Sequence, residues 1–217
     1  MPVPARPNHG AFRPLTPEDV QRETGVSRET LDRLQTYADL LVKWQGSINL
    51  VGKSTLADLW RRHMLDSAQL YPLLPADTRT LVDFGSGAGF PALVLAIMGV
   101  ADVHMIESDV RKGAFLREVA RIVGVKVTVH SVRIEALAPF PAEVITARAL
   151  APVAQLLEFA RPFLAPHTQC LFLKGQNVEG ELTEAHKIWD MSVERHSSRT
   201  EPAATILRLT EVRREPK

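Results

Sequence analysis

The sequence predicts an α/β protein: a doubly wound, mostly parallel sheet with an N-terminal helical extension. Two observations carry that expectation. An apolar run from Leu81 ends in Asp83 and feeds through Phe84 into glycines at 85, 87 and 89, as a strand does when it enters a turn that needs positive φ and close approach of a ligand. From Thr80 onward, β-like and helix-like segments alternate, which is the pattern of parallel strands joined by helical crossovers.

The elements follow in chain order. Residues 1–14 contain proline and arginine without periodicity and read as a flexible leader. Thr16 is placed to cap a helix with Pro17 at its first position, Glu18 and Asp19 in its first turn, and Gly25 at its end. Ser27 caps a second, amphipathic helix to about Trp44, with Leu31, Leu34, Ala38 and Leu41 at helical spacing, and Thr55 to about Leu70 reads as a third. Residues 15–75 thus form the extension, with Pro72 and Pro75 marking the junction to a sheet domain over 76–217. Strands are expected over 80–84, 103–107, 125–130, 144–148 and 169–174, with helices over 91–98, 111–123 and 152–164. Two late β-like runs, 191–196 and 205–212, suit an antiparallel end of the sheet.

Composition narrows the class. With 217 residues, 45% of them hydrophobic, the chain can bury one substantial core. Its single cysteine, Cys170, lies in an apolar run and reads as a buried small hydrophobe, compatible with a reducing cytosol. No stretch approaches the ~18 apolar residues of a membrane span, and the N-terminus lacks a signal-peptide core, so a cytoplasmic location without membrane contact is expected. Seven histidines are scattered without a pair at metal-ligand spacing, and no metal is expected. Net charge is only +1, yet Arg111, Lys112, Arg117, Arg121, Lys126 and Arg133 stand against Glu118 and Glu135 between residues 110 and 135. Phosphate contact and a solvated helix face both fit that stripe.

The glycine turn defines the ligand. A dinucleotide fingerprint needs its third glycine at position 90, where Phe90 stands. A nicotinamide-dependent enzyme is disfavoured on that ground. Alternate glycines at 85, 87 and 89 after an acid-tipped strand resemble motif I of the class I S-adenosylmethionine-dependent methyltransferases, and Pro91 suits a helix start with its amides facing the turn. Glu107, 18 residues beyond Gly89, ends the next apolar run where a carboxylate accepts hydrogen bonds from ribose hydroxyls.

Further blocks name an acceptor. Trp44, Asn49-Leu50, Arg62-His63, Asp66-Ser67, the turn from Gly85 to Pro91, Lys112 to Leu116, Arg133 to Glu135, Ala147 to Ala149 and Leu173 to Gly175 resemble the bacterial 16S rRNA guanine-N7 methyltransferases (glucose-inhibited division protein B, small-subunit rRNA methyltransferase G). The resemblance runs from about residue 40 to 178, with Ala92 where the family usually has glycine. It implies S-adenosylmethionine as cofactor, contacted by Gly85, Gly87, Gly89 and Phe90, held at the ribose by Glu107, bordered at the adenine by Ile134 and Glu135, and flanked by Arg148. The acceptor would be 16S rRNA, in a 30S particle or an assembly intermediate. Guanine N7 carries a free lone pair, so no general base is expected, and Arg148 and Lys174 are cast as positioning groups.

Other readings of these residues stand beside the resemblance. Arg148, at a strand end, suits a methionine carboxylate or a phosphate, or an ion pair with a neighbouring acid. Arg62, His63 and Asp66 are spaced for an ion pair within one helix. Trp44 reads as a core anchor, and Trp60 as either core or a stacking platform for a base.

Overall fold

A computed structural model describes residues 13–215. Most of the expected leader, and Lys217 of the basic tail, lie outside them. Seven strands form one sheet: β1 (Thr80–Phe84), β2 (Asp102–Ile106), β3 (Val127–His130), β4 (Val144–Arg148), β5 (Gln169–Lys174), β6 (Trp189–Ser197) and β7 (Thr205–Arg214), in the order β3-β2-β1-β4-β5-β7-β6. The first five pair in parallel, whereas β7 runs antiparallel to β5 and β6. The expected antiparallel end is therefore present. Because β1 pairs with β2 on one side and β4 on the other, the chain winds outward in both directions from β1, which leaves a crevice at the C-terminal ends of these strands.

Period-two alternation divides β1 between two cores. Leu81 joins a cluster with helix α4 (Ala92–Ile97) and helix α5 (Val110–Val123), while Val82 and Phe84 join one with α6 (Val153–Ala160) and α7 (Val178–Ala185). Helix α1 (Pro17–Thr24) carries the expected capping box at Thr16 and Asp19 and a left-handed Gly25. Helix α2 (Arg28–Gln45) buries Leu34, Tyr37, Ala38 and Leu41 in the same cluster as α4 and α5. Each such leucine contributes roughly 1.5–3 kcal/mol of burial, and the Tyr37 hydroxyl donates to the carbonyl of Ala88. The extension is thus packed onto the glycine turn.

Three expectations are corrected. Residues 55–70 are not one α-helix: a 3-10 segment (Lys53–Asp58), a π segment (Trp60–Leu65) and a single turn, α3 (Asp66–Ala68), follow one another. Pro91 is the cap before α4 rather than its first residue, after a cis peptide bond from Phe90. Helix α7 was not expected from the sequence, because Glu179, Glu181, Glu184 and Gly180 dilute a face of only Val178, Leu182 and Ala185. Trp44 packs against Phe115 with ring centroids 5.6 Å apart, and both Trp44 and Trp60 are partly buried against the first core cluster.

Candidate active site

A cleft of about 380 Å³ opens beside the glycine turn, at the C-terminal ends of β1 and β4. Gly85, Ser86, Gly87, Ala88 and Phe90 form one wall, Arg148 and Ala149 the next, and Arg62, His63 and Asp66 face them from the extension. Thr200 and Glu201, in the turn between β6 and β7, close the rim. A larger hollow of about 660 Å³, lined by residues 164–169 and 210–213, lies where β5 begins. It is at the wrong end of a parallel sheet for ligand binding.

The three glycines do different work. A Cβ on Gly89 would lie 2.5 Å from a Leu93 methyl and 2.9 Å from the Tyr37 hydroxyl, and one on Gly85 would lie 2.8 Å from a Leu150 methyl. At Gly87 φ is +56° and the nearest atom to such a Cβ is the Gly85 carbonyl at 3.8 Å, so its side-chain position faces open space in a wall of the cleft. Gly87 also donates its N–H to Glu107 Oε2 at 2.8 Å, while Glu107 Oε1 accepts from Asp109 N–H at 2.7 Å. The Glu107 carboxylate is buried and held in one orientation, with lone pairs left over for further donors.

Asp83, named in the sequence only as the strand's acid tip, is the most deeply buried carboxyl of the site. It sits opposite Thr146 in the β1–β4 ladder, and the Thr146 hydroxyl donates to Oδ1 at 2.6 Å. Oδ2 has no hydrogen-bond partner. Burial pushes the carboxyl up to about 6 against the opposing effect of the Thr146 hydrogen bond. A buried acceptor without a donor beside a glycine-lined wall is what a cationic, hydrogen-bonding ligand would satisfy.

Arg148 is clamped. Nη1 donates to Asp66 Oδ2 and to the Arg62 carbonyl, both at 3.2 Å, and Nη2 donates to His63 Nδ1 at 3.0 Å. The guanidinium carbon lies 5.0 Å from the centre of the Phe90 ring, which also stacks with His63 at 4.9 Å and Tyr37 at 5.1 Å. An arginine only donates, so His63 Nδ1 is the acceptor, Nε2 carries the hydrogen, and it donates to Thr55 Oγ1 at 2.7 Å. Burial first, then the charges of Arg148 and Arg62, push His63 down to about 3. The imidazole is neutral, and its lone pair is already used.

The pairing expected inside one helix is replaced by pairings across the fold. Asp66 meets Arg148, and Arg62 Nη1 meets Glu201 Oε2 at 2.7 Å. Gly85, Gly87, Phe90 and Arg148 line the cleft, and Glu107 grips its turn. Gly89 lies behind that wall against Leu93 and Tyr37. Ile134 and Glu135 lie on a 3-10 turn after β3, with Ile134 packed on the second core cluster. Lys174 is apart from the cleft lining: its ammonium is held by Glu181 at 2.6 Å and the Ala151 carbonyl at 2.9 Å. Thr200 and Glu201 were not expected, since nothing in their local sequence signals a ligand.

Comparison with known proteins decides the family. The profile described as rRNA small subunit methyltransferase G matches residues 30–206. The chain belongs to this family. Proteins named ribosomal RNA small subunit methyltransferase G are similar to it from Rhodospirillum rubrum (58% identical, covering 92% of this chain and 100% of the relative). Others are from Paramagnetospirillum magneticum (59%, 92% and 98%) and Gluconobacter oxydans (52%, 88% and 98%). Among solved structures, a ribosomal protein L11 methylase from Lactobacillus delbrueckii superposes with a TM-score of 0.56 at 15% identity, over 69% of this chain and 77% of that one, a likeness of fold. The chain is thus a Rossmann-like, S-adenosylmethionine-dependent rRNA methyltransferase, and the glycine turn, Glu107 and Asp83 offer donors and acceptors that fit that cofactor. Among the described residues no helix is long and apolar enough to cross a membrane.

Proposed function

We propose that this chain transfers a methyl group from S-adenosylmethionine to N7 of a guanine in 16S rRNA, acting in the cytoplasm on a 30S particle or an assembly intermediate. The observation that carries the chemistry is the engaged state of His63: the imidazole of the cleft-lining histidine is neutral and its lone pair is already taken by Arg148. That suits an acceptor atom with its own lone pair and nothing to lose. Bound S-adenosylmethionine supplies an electrophilic sulfonium methyl.

The chain's own groups bind and orient. Gly87 leaves space in the wall, Glu107 takes the ribose hydroxyls, Asp83 Oδ2 accepts from a cationic donor, and Ile134 with Glu135 borders the adenine. Arg148, fixed by Asp66 and His63 over Phe90, holds the incoming base or its phosphate with the donors its clamp leaves over. Lys174 acts at one remove, bracing the start of α6 through Glu181, which also accepts from Val153 N–H. Exposed Arg111, Arg117 and Arg121 on α5 offer phosphate contacts.

Mass-spectrometric mapping of 16S rRNA from cells lacking the protein tests the reading. One N7-methylguanosine is absent there and returns when the chain is restored. An unchanged map overturns the assignment.

A further inference from the structure

The rim of the cleft holds an arginine and a carboxylate whose combined donors and acceptors match one purine edge. Arg62 and Glu201 come from segments 139 residues apart and meet at 2.7 Å, with side chains 41% and 45% exposed. Both line the cleft. Apart from the donors that the Arg148 clamp leaves over, the other polar side chains of its lining are committed within the fold. Asp66 accepts from Arg148, Gln69 and Thr200; Thr200 donates to Asp66; Thr55 donates to the Gly52 carbonyl and accepts from His63; Ser86 donates to the Asp83 carbonyl. Among the described residues Glu201 Oε1 receives no hydrogen bond. Glu201 is therefore the lining carboxylate with a free acceptor at the solvent side.

Guanine presents O6 as an acceptor next to N1–H and N2–H as donors, whereas adenine presents a donor next to an acceptor. A carboxylate beside a guanidinium offers acceptors beside donors, in the complementary order. We propose that Arg62 and Glu201 read the Watson–Crick edge of the acceptor guanine, Glu201 accepting from N1–H and N2–H while Arg62 donates to O6, so that N7, on the adjoining edge beyond O6, turns toward the interior of the cleft. The pair then selects guanine and orients it in one contact. This rests on the guanine-N7 reading above.

The test pairs a substrate deletion with a protein deletion. 16S rRNA is ligated with either guanine or inosine at the target, assembled with small-subunit proteins, and assayed for kcat/KM. Inosine lacks only the N2 amino group. The unsubstituted enzyme discriminates against inosine by about tenfold or more, the loss expected when a charged acceptor is left unpaired. Glu201→Ala is slower on guanine and discriminates by less than about threefold. Any effect of inosine on RNA folding is common to both enzymes and cancels in the ratio. Equal discrimination by both enzymes overturns the pair's role. No N7-methylation of guanine by the unsubstituted enzyme overturns the reading of function on which it stands. Circular dichroism and cofactor affinity within about twofold of the parent show that Glu201→Ala is folded.

Discussion

Arg148 Nη2 donates to His63 Nδ1 at 3.0 Å while Nη1 reaches Asp66 Oδ2 at 3.2 Å, so a residue at the end of β4 is held by two side chains of the N-terminal extension. This clamp fixes the face that Phe90 presents to the cleft. A lysine keeps the charge but not the fork geometry that serves two acceptors at once. Arg148→Lys should therefore lower the single-turnover rate of methyl transfer by at least about tenfold. A rate within twofold of the parent removes Arg148 from the positioning role.

The glycines separate binding from folding. Gly87→Ala meets only the cost of positive φ, roughly 1–2 kcal/mol, but projects a methyl into open space at the wall, so S-adenosylmethionine affinity measured by calorimetry should fall sharply in a folded protein. Gly89→Ala drives a Cβ into Leu93 and Tyr37 and should unfold at clearly lower denaturant. The reverse ranking would mean that the cofactor lies elsewhere.

Glu107 holds two backbone amides as well as a ligand position. Removing a charged acceptor from one ligand hydrogen bond costs about 1.5–3 kcal/mol, so Glu107→Ala should weaken cofactor affinity about ten- to a hundredfold. Thermal stability should fall with it, because the N–H groups of Gly87 and Asp109 lose their acceptor. A change in affinity below twofold places the ribose site away from β2.

The fold was legible where local pattern and tertiary demand agree. The glycine turn, Thr16 and Ser27 as caps, and the strands through Lys174 are of this kind. Helix α7 was not, since its apolar face is three residues wide, and residues 53–68 were not, since their turns change type while Leu56, Leu59, Trp60, Met64 and Ala68 pack on the first core cluster. Side-chain partners far apart in the chain were equally hidden. Arg62 with Glu201, Arg148 with His63, and His104 with His130, whose rings stack at 5.2 Å across β2 and β3, follow from how the extension packs on the sheet and from strand order, which spacing along the chain does not encode.

Asp83 gives a stability prediction with a definite sign. Its carboxyl is raised to about 6 in the fold, above the roughly 3.9 of an unfolded chain, so the native state binds more protons between these values and loses stability as pH rises through them. Asp83→Asn removes that loss. The ligand-free variant should be more stable than the parent at about pH 7.5, with a smaller difference near pH 4.5. Equal denaturation midpoints at both pH values would mean that Asp83 is not strained by burial.

His63 decides the pH profile. Its folded value of about 3 lies below the roughly 6.5 of an unfolded histidine, so between these values the unfolded chain takes up the proton. Stability conferred by the neutral ring is complete above about pH 6.5 and declines as pH falls toward 3. At the pH of catalysis the ring is neutral, its Nδ1 accepts from Arg148 and its Nε2–H is given to Thr55. It can therefore neither take a proton from the acceptor nor change charge during turnover. Guanine N7 needs no such partner, because its in-plane lone pair attacks without deprotonation. The single-turnover rate at saturating substrates should accordingly be nearly flat from about pH 6.5 to 8.5. A rate that climbs about tenfold per pH unit, and loses the climb when one side chain is replaced, would identify a general base and overturn N7 as the methylated atom.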